Sequence, residues 1–108
     1  MEIEEIDSRA ELGELLRVEP RGVVVDFWGT WCQPCRSLRP HLERLADDHA
    51  ASWRIVAVHT DEREDLAEAY AIQATPTLIY TRQGEEVYRS AGAVTPSAVA
   101  EALESLGK

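Results

Sequence analysis

Apolar residues along the chain switch between two rhythms, one of helical spacing and one of short continuous runs. Leu12, Leu15 and Leu16 recur at helical intervals behind Ser8 and Glu11, a capping-box pair, and Pro20 stops the run. This predicts a helix over 7–19. The segment Gly22-Val-Val-Val-Asp-Phe-Trp-Gly29 is β-branched, aromatic and apolar on both faces, the pattern of a central strand covered by helices on each side. Leu38, Leu42, Leu45 and Ala46 then line one face of a helix over 34–50, with Pro34 in its first turn and Pro40 inside it as the expected site of a kink.

Residues 53–60 read as a second buried strand, and 61–72 as a short amphipathic helix with Asp61 and Glu64 in capping-box spacing. Two strands follow over 77–92, joined as a hairpin through Gln83 and Gly84. The last helix, 95–106, starts with Thr95 as N-cap and Pro96 at its first position, and repeats Val99, Leu103 and Leu106 on one side. This order of elements implies an α/β fold: a mixed sheet with helices on both faces and right-handed crossovers between parallel strands. Ligands on such sheets sit beyond the carboxyl ends of the strands. Cys32 falls there.

The 108 residues suit one domain with a core of its own, and no repeat or linker divides them. No apolar run nears the roughly 20 residues of a membrane span. The first seven residues hold four acids and lack a signal peptide's basic end and apolar stretch, so the expected location is cytoplasmic. A net charge of −9, with no basic stripe to offset it, argues against nucleic acid and anionic membranes as partners.

Cys32 and Cys35 are the chain's two cysteines. A disulfide between them closes too small a loop to be an effective staple. A structural zinc site lacks ligands, because His41, His49 and His59 complete no zinc-binding spacing. Redox chemistry accounts for more. Residues i and i+3 in a first helical turn lie within the roughly 4.4–6.8 Å Cα separation a disulfide accepts. At a helix N-terminus Cys32 faces free N–H groups and the positive end of the dipole, which favour its thiolate and make it the nucleophile. Cys35, one turn in, keeps its proton until it attacks the mixed disulfide. Trp28 and Trp31 are candidates to wall the thiols from water, with ordinary core packing as the alternative for Trp28.

Asp26 interrupts an apolar strand, where desolvation opposes ionisation and raises its pKa. Such an acid suits proton exchange with Cys35 and the departing thiolate. The alternative is a partly exposed aspartate at a sheet edge with no role.

Together, Asp26-Phe27-Trp28, Trp31-Cys32-Gln33-Pro34-Cys35, Pro40, Thr75-Pro76-Thr77, Gly84 and Gly92 resemble the thioredoxin family along essentially the whole chain. The resemblance implies a sheet of four or five strands flanked by four helices, and a dithiol that reduces protein disulfides without a bound cofactor. It implies a cis proline at Pro76 and a groove for an extended substrate segment formed by Trp31, Gln33, Pro34, Thr75, Pro76, Ala91, Gly92 and Ala93. It also implies a monomer recycled by a separate reductase, an NADPH-dependent flavoprotein. The rival activities are a disulfide oxidase or isomerase, and a binding module whose redox activity is secondary.

Three departures from the family pattern stand out. Gln33 takes the place of the usual glycine between the first cysteine and the proline. Ala57 stands where many members carry a lysine beside the buried aspartate, and Lys108, the single lysine, is too remote to replace it. Asp26 is therefore expected to lack a neighbouring cation, with His59, on the same strand face, as a candidate substitute or else a solvated strand end. Ala71 and Ala74 replace glycines common in the loop before the proline.

Overall fold

The computed structural model describes residues 2–92 and 94–107. Its elements run β1 (Glu4–Glu5), α1 (Arg9–Val18), β2 (Gly22–Trp28), α2 (Gln33–Asp48), β3 (Trp53–His59), α3 (Glu64–Ala69), β4 (Thr77–Arg82), β5 (Glu85–Ala91) and α4 (Pro96–Leu106). The strands form one mixed sheet in the order β1-β3-β2-β4-β5. β1 and β2 run parallel to β3, while β4 is antiparallel to both β2 and β5.

Alternation along the strands separates two apolar layers. Val24, Ala57, Leu78 and Tyr80 meet Leu38 and Leu42 of α2 and Val99 and Leu103 of α4. On the other face Val23, Val25, Phe27, Val56, Val58 and Ile79 meet Leu12, Leu15 and Leu66, from α1 and α3. β2 is central and its residues from Gly22 to Phe27 are all buried, as its two-faced apolar run predicts. Asp26 lies in register with Ala57 and Leu78, so its side chain faces the α2 and α4 layer.

Local signals explain most boundaries. Ser8 accepts the Glu11 N–H at 3.0 Å and Glu11 reaches back to the Asp7 N–H, closing the start of α1. Thr95 caps α4 by accepting from the Ala98 N–H, with Pro96 next. The β4–β5 turn places Gln83 and Gly84 both at positive φ, the turn a two-residue hairpin favours.

Two elements depart from the sequence reading. β1 is an addition to it: two exposed acids between Ile3 and Ile6, whose buried side chains enter opposite layers. An i, i+3 apolar pair gives no period-2 signal. α3 is shorter than 61–72, starting after Arg63 without a side-chain cap. The Asp61 carboxylate is engaged elsewhere, accepting the Thr30 N–H at 2.8 Å.

Trp53 anchors the α4 side of the core. Its ring is buried, its Nε1 donates to the Leu103 carbonyl at 2.9 Å, and the Tyr80 ring meets it edge-on. Gly22 lies against this ring, and a Cβ there would stand 2.5 Å from the indole. We expect Gly22→Ala to destabilise the protein by roughly 1–3 kcal/mol through overpacking, read as a lower urea midpoint at unchanged slope. In a Trp53→Leu background the same change should cost less; an equal cost would show that the contact with the indole is not the cause.

Candidate functional site

The chain leaves β2 at Trp28 and enters α2 through Gly29-Thr30-Trp31-Cys32. Cys32 is the N-cap residue of α2, and its Sγ accepts the Cys35 N–H at 3.2 Å. One free amide of the first turn is thus aimed at this sulfur, and the helix dipole adds to the same field. Pro34, in that turn, removes no helical hydrogen bond. Cys32 and Cys35 are joined as a disulfide with Cα atoms 5.3 Å apart. Their exposure differs: Cys32 is partly exposed, whereas Cys35 is buried.

The loop before Cys32 is tied down on both sides. Thr30 donates its N–H to Asp61, and its hydroxyl meets His59 Nε2 at 2.7 Å. Arg36 reaches back from α2 to the Thr30 carbonyl at 2.7 Å and to Gln33 Oε1 at 3.1 Å. Gln33 is therefore turned along its own helix, with its amide 3.5 Å from Ser37 Oγ.

An open groove of about 500 Å³ runs past Cys32, and Trp31, Gln33, Pro34 and Thr75 line it. The Thr75–Pro76 bond is cis, as the resemblance implied. Ala91 pairs with Thr77, and Gly92 donates its N–H to the Pro76 carbonyl at 2.9 Å, so both border the proline. Ala93 and Lys108 lie outside the described residues. Trp31 is 90% exposed and shields nothing, which corrects its expected role as a wall; it presents a flat apolar face at the rim.

Asp26 is 1% exposed on the central strand, which rules out the sheet-edge alternative. Among the described residues neither carboxyl oxygen has a hydrogen-bond partner. Burial pushes its pKa up to about 7, with Arg39 opposing the rise and Glu5 adding to it.

The expectation that Asp26 lacks a cation is overturned. Arg39 Nη2 lies 3.7 Å from Asp26 Oδ2, while Nη1 of the same guanidinium meets Glu5 Oε2 at 3.1 Å. The signal was in the sequence: Arg39 follows Cys35 by four residues and so shares its helix face. His59 is not the substitute, because its ring stacks on Trp28 at 4.2 Å and its nitrogens engage Thr30, Glu62 and Asp61. Trp28 is half-buried, not plain core: it packs between His59 and Arg39 and donates its Nε1 to Glu5 at 3.0 Å.

Among the described residues no cluster of three His, Cys, Asp or Glu side chains is arranged to hold a metal ion, and no helix is long and apolar enough to cross a membrane.

Comparison with known proteins agrees with this geometry. The thioredoxin family model matches residues 5–105. The chain is 38% identical over 81 residues to a thioredoxin of Pyropia yezoensis, covering 75% of this chain and 76% of that one. It is 37% identical over 82 residues to thioredoxin 1 of a Nostoc species, covering 76% and 77%. Among solved structures, Fasciola hepatica thioredoxin superposes with a TM-score of 0.88 at 31% identity, covering 95% of this chain and 98% of that one. A mutant thioredoxin from Halobacterium salinarum reaches 0.89 at 29% identity, covering 99% and 92%. With a bonded cysteine pair at the mouth of α2 and this match along nearly its whole length, the chain belongs to the thioredoxin family and is a thiol–disulfide oxidoreductase that reduces protein disulfides.

Proposed function

We propose that the whole chain works as one thioredoxin domain in which Cys32 attacks, Cys35 resolves and Asp26 takes the proton. The observation that carries this is the asymmetry of the pair: the sulfur that accepts an N–H at the helix mouth is the accessible one, and the other is buried. In the reduced protein the Cys32 thiolate attacks one sulfur of a substrate disulfide, forming a mixed disulfide and releasing the first substrate thiolate. Cys35 passes its proton to Asp26 and attacks Cys32 Sγ, which expels the second substrate thiolate and forms the Cys32–Cys35 bond. Two electrons have then moved to the substrate, and each departing thiolate takes up a proton.

Trp31, Gln33, Pro34, Thr75, Pro76, Ala91, Gly92 and Ala93 form the surface for an extended substrate segment in this reading. The exposed indole of Trp31 and the groove lined by Thr75 support it. A separate NADPH-dependent flavoprotein reductase returns the two electrons, and the protein acts as a monomeric electron carrier in the cytoplasm. It needs no bound cofactor, because the exchange uses the two sulfurs alone.

Reduction of insulin by the wild type, Cys32→Ser and Cys35→Ser proteins tests the cysteine roles. Both variants should be inactive, but only Cys35→Ser should accumulate a mixed disulfide with substrate, detected by mass spectrometry. Accumulation in Cys32→Ser instead would reverse the assignment. Asp26→Asn should slow turnover at pH 7 to 8 by about tenfold or more and flatten the pH–rate profile near 7. An unchanged profile would remove Asp26 from the proton step.

Asp26 also predicts a pH-dependent stability. Its folded pKa of about 7 lies above the ordinary 3.8, so its contribution is fully present below pH 3.8 and is lost as pH rises through 7. In urea melts of the oxidised protein, Asp26→Asn should be close to wild type at pH 4 and more stable at pH 8, by at most roughly 4 kcal/mol.

A further inference from the structure

Asp26 faces an apolar layer into which, among the described residues, one cation reaches. Arg39 brings its guanidinium to 3.7 Å from the carboxyl, beyond hydrogen-bond reach, and is itself held by two groups that are tied to each other. Glu5 accepts its Nη1 at 3.1 Å, the Trp28 ring lies under it with the guanidinium carbon 5.3 Å from the centroid, and Trp28 fixes Glu5 through Nε1 at 3.0 Å. The Arg39 side chain is 24% exposed, that of Glu5 40% and that of Asp26 1%, so the three charged groups step from interior to solvent.

We propose that Arg39 is the positioning residue for Asp26, a counter-charge supplied from the redox helix in place of the family's strand lysine and held there by Glu5 and Trp28. The inference rests on the reading of Asp26 as proton acceptor given above. A direct bidentate bond would lock the carboxylate in its ionised form. At 3.7 Å without a hydrogen bond, the cation offsets part of the desolvation while both oxygens remain open to a proton.

The surroundings leave this pair to set the local charge. The cross-strand neighbours of Asp26 are Ala57 and Leu78, and the inward residues of α4 are Val99, Ala102 and Leu103. From α2 the buried residues are Cys35, Leu38 and Leu42, and Arg39 is the charged one that reaches Asp26. Glu5 comes from β1. His59, Glu62, Asp7 and Arg63 border the outer cleft alongside Trp28, and Asp61 meets His59 there.

The test titrates Asp26 directly by carboxyl carbon NMR in the oxidised protein, with the pH–rate profile of insulin reduction measured in parallel. Arg39→Met keeps the aliphatic stem over Trp28 and removes the charge, and should move the Asp26 midpoint up by about one pH unit. Arg39→Lys should restore most of the wild-type midpoint. Glu5→Gln keeps an acceptor for Arg39 and removes an anion, and should move the midpoint down.

The profile should follow the NMR midpoint in each variant, and Arg39→Met should leave it unmoved in an Asp26→Asn background. Midpoints that follow these directions while rates ignore Asp26 would retain the Arg39 assignment and discard the proton-acceptor reading. A midpoint unmoved by both Arg39→Met and Glu5→Gln would overturn the Arg39 assignment whatever the rates do. Should Arg39→Met not fold, Arg39→Gln removes the same charge and decides: its midpoint should also rise, and an unmoved midpoint would overturn the assignment.

Discussion

An ionisable carboxyl on the most buried strand of the sheet is the constraint around which the rest of this structure is arranged. Asp26 costs stability wherever it is charged, because β2 is covered on both faces and no donor among the described residues hydrogen-bonds its oxygens. The strand tolerates it because the residues on either side, Val25 and Phe27, face the other apolar layer and keep that layer continuous. The expense is thus confined to one face. That face is covered by α2, the helix that carries both cysteines.

α2 accordingly unites three things that sequence distance keeps only a turn apart. Its N-cap is the accessible sulfur, its first turn contains the buried one, and one turn further Arg39 meets the aspartate. Pro40 follows at once and cannot donate to the carbonyl four residues back, yet the helix continues to Asp48 because Leu38 and Leu42 are buried on either side of it. Packing holds the helix where local preference would interrupt it. β1 shows the same dependence in miniature: two exposed residues pair with β3 between Ile3 and Ile6, whose buried side chains pack into the two layers.

The parts of the fold legible in the sequence were those with a strong local period or a side-chain cap, such as β2, β3, the hairpin through Gln83 and Gly84, and the starts of α1 and α4. The capping box expected of Asp61 failed because a tertiary partner, the Thr30 amide, competed for the carboxylate and won. The cysteine pair was legible from spacing, and the burial of Asp26 from its apolar neighbours. Arg39 is not among the residues that carry the family resemblance, and the cation comes from the facing helix rather than from the neighbouring strand, where Ala57 stands. Helical periodicity from Cys35 points to it; the length of its reach to Asp26 follows from no one-dimensional pattern.

Reduction of the disulfide changes the electrostatic problem. In the oxidised form burial holds the Asp26 pKa up at about 7, with Arg39 opposing the rise and Glu5 adding to it. Once the cysteines are free, a thiolate at the mouth of α2 adds a negative charge on the face of the sheet that Asp26 shares, and like charges oppose ionisation of the aspartate. In the proposed reading, in which Asp26 takes the Cys35 proton, these groups form one coupled set. Arg39 bears on that whole set, since a cation fixed from the solvent side stabilises whichever partner is ionised. Glu5 and Trp28 hold it through contacts that involve neither sulfur, so in the proposed reading the proton moves against a fixed charge.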